Sequence, residues 1–273
     1  MAGKTAIVSG ASSGIGRATA IELVKNGYKV YAFNRSPAEI TGVEFVPVDI
    51  SKPEDIKRGV AAVLEREDRV DLLVNNAGMC VSGAAEETTD ENAYYLFDVN
   101  FFGAFRLARE VLPSMRAAGG GRIINVTSIA AVFFPPFQGF YCASKAALSA
   151  HFSAMRLEVK PFGIMITNVI PGDTRTGFTD HRQMNENPSA AYAGRIGRSM
   201  AAVVSGERKG MPPLSVAKVI VRQATSKKPK AAVGVGLTNK LLITLAKLLP
   251  ASLIGAMLES MYGGAERQAP RIK

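Results

Sequence analysis

The stretch Lys4-Thr5-Ala6-Ile7-Val8-Ser9-Gly10-Ala11-Ser12-Ser13-Gly14-Ile15-Gly16 decides the fold. Thr5 to Ser9 is a short apolar run that reads as a strand, and a helical pattern extends from about Ile15 to Asn26, with Gly27 as its stop. Between them stand Gly10, Gly14 and Gly16. Glycine there lets the backbone turn sharply and approach a pyrophosphate, and the next helix offers unpaired N–H groups and the positive end of its dipole. Alone, such a turn says little; after the first strand of a repeating strand–helix chain it points strongly to a dinucleotide site.

The rest of the chain repeats in this way. Lys29–Phe33, Val43–Val48, Asp71–Asn75, Arg122–Thr127 and Ile164–Ile170 are short runs rich in Val and Ile, and Lys230–Gly236 comes after the helical segment Ser215–Ser226. They are apolar on both faces and separated by segments long enough for crossover helices, as buried parallel strands are. The expected fold is α/β: a single doubly wound Rossmann domain over residues 1–273, with a seven-stranded parallel sheet and helices on both faces. Residues 92–116 and 138–160 read as long helices. Two segments break the rhythm. Residues 176–213 hold Gly, Pro and Asn with short helical pieces over 190–204, and are expected to form a substrate lid. Residues 238–262 read as a C-terminal helical extension broken at Pro250. In its first helix Leu241, Leu242, Leu245, Leu248 and Leu249 make a wide apolar face, and Lys240, Thr244 and Lys247 a narrow polar one.

Composition narrows the class further. Of 273 residues, 21% are charged and 47% hydrophobic, which excludes a disordered or membrane-embedded chain. No charge-free run reaches the roughly 20 apolar residues of a spanning helix. Cys80 and Cys142 are too few for a disulfide scaffold and read as reduced thiols of a cytoplasmic protein. With only His151 and His181, both read as packing or surface residues, no metal site is expected. The N-terminus enters a strand at once, so no signal peptide is expected.

Beyond the glycine turn, the ends of the strands carry the chemistry. An acidic residue about 20 positions past the glycines would bind the ribose hydroxyls of NAD. Here the second strand ends in Phe33, and Asn34, Arg35 and Ser36 come next. Arg35 can pair with a 2′-phosphate and stack on adenine, so the sequence favours NADP(H); otherwise Arg35 is a plain surface arginine. Asp49, before Ile50, is placed either to accept from the adenine amino group or to form a strand-end turn. Asn75-Asn76-Ala77-Gly78 closes the fourth strand with small residues that suit a cofactor's approach, or an ordinary turn. Ser128 closes the fifth. Tyr141 and Lys145 stand four apart, on one face of a helix, where an ammonium is expected to lower the phenol's pKa.

With these residues in order, the chain resembles the short-chain dehydrogenase/reductase family. The resemblance is carried by the turn at 10–16, Asn75 to Gly78, Asn100 within Asp98-Val99-Asn100, Ser128, Tyr141 with Lys145, and Pro171-Gly172. It covers residues 4 to about 177 closely. The one departure is Ser9 where threonine is commoner, and it keeps the hydroxyl. The resemblance implies that Tyr141 is the general acid or base, that Lys145 tunes it and holds the nicotinamide ribose, and that Ser128 polarises the carbonyl. It implies that Asn100 supports a water relay, and that Pro171, Gly172, Thr174 and Thr176 sit by the nicotinamide and pyrophosphate. The same cofactor contacts extend to Ser12, Ser13, Ile15, Ile50, Asn76, Ala77 and Gly78. It also implies a homodimer or homotetramer pairing the two long helices.

The last third speaks to the substrate. Ile129, Ala131, Val132, Phe133, Phe134, Pro135 and Phe137 before Tyr141, with Phe178, Met184, Tyr192, Ile196 and Met200 after it, describe a pocket for a hydrophobic alcohol or ketone. The leucine-rich helix and basic tail resemble the hydroxysteroid and retinol dehydrogenase-like branch. A 3-oxoacyl-(acyl-carrier-protein) reductase and a non-catalytic NADP-sensing protein are the alternatives. The net charge is +10, yet residues 1–177 carry 18 basic and 18 acidic side chains, so the whole excess lies beyond them. That distribution disfavours nucleic acid. It suggests peripheral contact with an anionic membrane, carried by Arg208, Lys209, Lys227, Lys228 and Lys230, or a merely solvated face.

Overall fold

The computed structural model describes residues 3–186 and 188–263. In chain order the elements are β1 (Lys4–Ser9), α1 (Gly14–Lys25), β2 (Tyr28–Asn34), β3 (Val43–Pro47), α2 (Pro53–Leu64), β4 (Leu72–Asn75) and β5 (Val81–Ser82). Then come α3 (Asp90–Phe97), α4 (Gly103–Ala117), β6 (Gly121–Val126), α5 (Gly139–Val159), β7 (Ile164–Ile170) and β8 (Gln183–Met184). The chain continues through α6 (Ala190–Lys209), α7 (Pro213–Thr225), β9 (Ala232–Gly234), α8 (Leu237–Leu248) and α9 (Ala251–Leu258).

Seven strands form one parallel sheet in the order β3-β2-β1-β4-β6-β7-β9. Within each strand, alternate residues feed opposite cores. Ile7, Phe33, Leu73, Ile123 and Ile166 point to one face, where Ile56 and Val60 of α2, Leu107 and Val111 of α4, and Leu148 and Phe152 of α5 cover them. Ala6, Val8, Val30, Leu72, Val74, Ile124 and Val169 point to the other, under Ala20 and Leu23 of α1 and Val216 and Ile220 of α7. Each fully buried aliphatic side chain of this kind contributes about 1.5–3 kcal/mol over leaving it in water. The helices start where their sequences allow it. α2 has proline in its first turn together with Glu54 and Asp55, and α7 also begins on proline. Strand order reverses between β1 and β4, which opens a crevice at the carboxyl ends of the strands.

Three interior strands carry an asparagine at the same level. Asn75 of β4 donates to Asn125 of β6 at 2.9 Å, and Asn125 donates to Asn168 of β7 at 2.9 Å. Asn168 ends the row on the Ser149 carbonyl and the Ser153 hydroxyl of α5.

Two expectations change. The helix expected over 92–116 is split by a π-helical turn, Asp98–Phe102, between α3 and α4. The extra residue in that turn brings Asn100 inward to 1% exposure. The short pieces expected over 190–204 are one continuous helix, α6, of 20 residues. The break at Pro250 between α8 and α9 is where the sequence places it.

Candidate active site

The carboxyl ends of the strands surround a cavity of about 850 Å³. At one end lies the turn after β1. Gly10 and Gly14 have positive φ, at 65° and 53°. A Cβ on Gly10 would come within 2.8 Å of the Ala77 Cα, and one on Gly16 would overlap the Gly10 carbonyl. The turn is tied to β4 through the departing residue of the motif. The Ser9 hydroxyl accepts from the backbone N–H of Asn76 at 3.0 Å and of Ala77 at 3.1 Å, and the Asn76 amide donates to the carbonyls of Ser9 and Gly10. α1 begins at Ser13 with no side chain capping its first turn, so its N–H groups remain available. The Asn34 side-chain Oδ1 accepts from Ala11 N–H at 2.7 Å, while its Nδ2 is buried without a partner. Arg35 donates to the Tyr95 hydroxyl at 3.2 Å. Asp49 makes the strand-end turn, accepting from the Ser51 N–H and hydroxyl. Both residues still face the cavity, as do Ser12, Ser13, Ile15, Ser36 and Ile50.

Toward the middle, Ser128, Tyr141 and Lys145 meet with Asn76, Ala77, Gly78, Pro171, Gly172, Thr174 and Thr176. Lys145 is 4% exposed, its Nζ donates to the Val126 carbonyl at 3.1 Å, and it stands 5.9 Å from the centre of the Tyr141 ring. Burial pulls Lys145 down to about 8. Burial also pushes the Tyr141 phenol well above its ordinary value, and a hydrogen bond with Ser128 pulls the other way. The lowering expected from Lys145 does not set the balance: desolvation of the phenolate, with Cys80 beside it, exceeds what the Ser128 hydrogen bond returns. Gly16 and Asn100 do not face the cavity. Gly16 packs beneath the turn, and Asn100 clamps Met79, accepting from its N–H at 2.8 Å and donating to its carbonyl at 2.9 Å and to Ser144 at 3.0 Å. Cys142 is buried and also absent from the wall. His151 packs against Phe101, Phe105 and Phe152.

The far end is apolar, but not with the side chains expected. Phe178 packs 5.8 Å from the Tyr141 ring, and Phe133 and Pro135 join it. Ile196 and Met200 pack instead into a small core of α6 with Phe137, Tyr192 and Tyr262, and Met184 and Phe134 are exposed. Their place is taken by Leu242 of α8, Met257 and Leu258 of α9, and Met261 and Tyr262 just beyond. Glu207, Asp173 and His181 also reach the wall. Burial, then the Glu207 charge, pushes Asp173 up.

Arg182, which has no distinguishing mark in the sequence, links this end to the rest. It is buried, pairs with Glu207 of α6 at 2.5 Å, and donates to Ser82 at 3.1 Å, to Gln138 at 3.3 Å and to the Cys80 thiol. Breaking a buried pair from one side leaves an uncompensated charge. Arg182→Met is expected to lower unfolding free energy by about 3 kcal/mol, and Arg182→Met with Glu207→Leu to recover most of it. Urea denaturation of the two variants checks this; equal losses would show that the pair itself is not what holds α6.

A Rossmann sheet with a glycine turn at its switch point and a Ser–Tyr–Lys group beside it defines a nicotinamide-dependent oxidoreductase. A sequence model of short chain dehydrogenases matches residues 4–187, and the chain belongs to that family. It is 37% identical over 260 residues to the 3-ketodihydrosphingosine reductase of Bacteroides thetaiotaomicron, spanning 94% of this chain and 97% of the relative. It is 34% identical to the NADPH-dependent 1-acyldihydroxyacetone phosphate reductase of Saccharomyces cerevisiae, over 82% of this chain and 79% of the relative. Among solved structures, a short-chain dehydrogenase from Streptomyces avermitilis is similar at 32% identity and a TM-score of 0.80, over 94% of this chain and 95% of that one.

The residues present fit the cofactor this family binds. The close packing under Gly10 and Gly16 holds the turn tight against β4, and Gly10, Ser12, Ser13 and Gly14 at the uncapped start of α1 line the cavity where a pyrophosphate would pass. The unpartnered amide of Asn34 lies in the wall where an adenosine would end.

Proposed function

We propose that the protein is an NADPH-dependent reductase of a ketone on a long-chain lipid. The observation that carries this is the cavity itself. It runs without a break from the glycine turn, past Ser128, Tyr141 and Lys145, to an apolar end walled by Phe133, Phe178, Leu242, Leu258 and Met261. Two relatives named for reduction of lipid ketones support the substrate class, and neither name points to a steroid or retinoid. Residues 176–213 act as a lid over the apolar end, and residues 238–262 as its outer wall.

A bound nicotinamide supplies the hydride. The chain's own residues do the rest. Ser128 and Tyr141 hold the carbonyl oxygen, and the Tyr141 hydroxyl carries the proton that oxygen needs. Burial keeps the phenol protonated at neutral pH, which is the form a reduction consumes. Lys145, buried beneath, orients the ribose and refills the phenol's proton by way of water near Asn100, whose carbonyl lies on the same side of Gly78 as the Lys145 amine. Phe178 and the walls of the lid exclude bulk water. Both cysteines are free and buried, which supports a reducing, cytoplasmic setting.

Arg35 is proposed to select NADPH over NADH by pairing with the 2′-phosphate, exchanging its exposed bond with Tyr95 for a charged one. Arg35→Asp is expected to lower kcat/KM for NADPH by about a hundredfold and to leave that for NADH unchanged or raised. Initial rates with one ketone and both cofactors decide it. A parent enzyme that prefers NADH would overturn the assignment.

A further inference from the structure

We propose that the outer face of α8 and α9 docks on an anionic lipid bilayer and serves as the port through which the substrate's hydrocarbon chain enters the cavity. The proposal rests on the lipid-ketone reading above and adds the route by which such a substrate arrives.

The two helices have an apolar side turned to solvent. Leu237 is 84% exposed, Leu241 61%, Leu248 74%, Leu253 48% and Met261 61%. Leu237, Leu241 and Leu248 fall within one stripe of α8, since offsets of four and eleven residues return to the same side of a helix. The leucine-rich face that the sequence suggests is thus only partly turned inward: Leu242, Ile243 and Leu245 are half-buried while their neighbours stand in water. No residue of α9 is buried. Exposed leucines repeated along one side of a helix mark an interaction site.

The same helices reach the cavity from behind. Leu242, Met257, Leu258 and Met261 form its wall; Leu242 and Met257 stand within about a turn of the exposed Leu241 and Leu253, and Met261 is itself exposed. The same two helices thus carry apolar side chains on their outer face and in the wall of the cavity that holds Tyr141, the two ends that an entering alkyl chain would join.

Charge selects the occupant. From Leu237 to Met261 the sequence holds two lysines against one acid, Glu259, and α6, which packs against residues 259–263, ends in the exposed Arg208 and Lys209. A second copy of this surface would bring like charges together, whereas phosphatidylglycerol or a similar anionic lipid would attract them. The structure also divides the basic residues first assigned to a membrane. Lys227, Lys228 and Lys230 precede β9 and so lie at the amino ends of the parallel strands, opposite the cavity. They are left out of the docking surface.

The test is flotation of the full chain with vesicles of phosphatidylcholine alone or mixed with phosphatidylglycerol. Binding to the mixed vesicles at low salt, weakened by added salt, is expected. Leu241→Asp, Leu248→Asp and Leu253→Asp, none of which faces the cavity, should each lower partitioning by about tenfold and leave turnover of a short water-soluble ketone unchanged. Should an aspartate disturb folding, Lys240→Glu reads the same surface through its salt dependence. A parent that ignores anionic vesicles at low salt overturns the proposal, as do aspartate variants that bind like the parent. If those variants instead convert a dimer to a monomer in light scattering while the parent ignores vesicles, the face joins two copies and the proposal fails. Vesicle binding with no reduction of any lipid ketone keeps the docking surface and sinks the substrate reading; reduction from detergent micelles with no vesicle binding does the reverse.

Discussion

Tyr141→Phe is expected to lower kcat for ketone reduction by about a thousandfold while the dissociation constant for NADPH stays at the parent value. The ring remains, so the packing against Phe178 at 5.8 Å and over Lys145 at 5.9 Å is kept. Only the hydroxyl that shares a hydrogen bond with Ser128, proposed above to carry the transferable proton, is lost. Rate loss without loss of cofactor affinity is the signature of an interaction made at the reacting oxygen. Stopped-flow reduction and fluorescence titration with NADPH separate the two quantities. A variant with parental kcat would sink the mechanism; one that bound NADPH poorly would move Tyr141 from chemistry to binding.

Lys145→Met is expected to abolish turnover and yet make the protein harder to unfold at neutral pH. Burial holds the Lys145 ammonium at about 8 against an ordinary value near 10.5. Keeping it charged at pH 7 therefore costs folding about 3 kcal/mol. Methionine keeps the buried stem and removes the charge. Loss of the bond to the Val126 carbonyl offsets about 1 kcal/mol, leaving a gain of about 2 kcal/mol. Between about pH 8 and 10.5 the unfolded parent binds more protons at this position than the folded one, so parental stability rises with pH. The advantage of the methionine variant should shrink through that window. Urea denaturation at pH 7 and pH 10 measures it, and a variant less stable than the parent at both values refutes the account.

Much of this was legible in the sequence for a physical reason. Parallel strands buried on both faces are continuous Val/Ile runs, and a glycine turn between strand and helix admits few backbone paths. β1 to β4, β6, β7 and the Gly10–Gly16 turn therefore fall where expected. Tyr141 and Lys145 share a helical face by spacing alone. The π turn at Asp98–Phe102 was hidden because one extra residue scarcely disturbs an amphipathic pattern. Which apolar side chains face the substrate was hidden too. Ile196 and Met200 are as hydrophobic as Leu242 and Leu258, and only the placement of α8 and α9 decides that the latter pair lines the cavity. The Arg182–Glu207 pair joins the loop before α6 to the last turn of that helix, 25 positions away, and leaves no periodic trace. The buried asparagines did leave one: Asn125 and Asn168 sit inside otherwise apolar strands, where an amide needs a partner.

That row of amides bears on how the chain finds its fold. Asn75 is paired in register with Asn125, and Asn125 with Asn168. A slip of one residue would turn an amide to the opposite face of the sheet and strand it among aliphatic groups. Each stranded amide costs about 1–3 kcal/mol, a penalty that the generic stickiness of Val and Ile does not impose. The row thus pins the register of the three strands once the helices close over them, because only the aligned pairing leaves the amides partnered in the interior. The strands it aligns are those that lead to Gly78, Ser128 and Pro171, so the candidate site inherits its alignment from a row of amides buried below it.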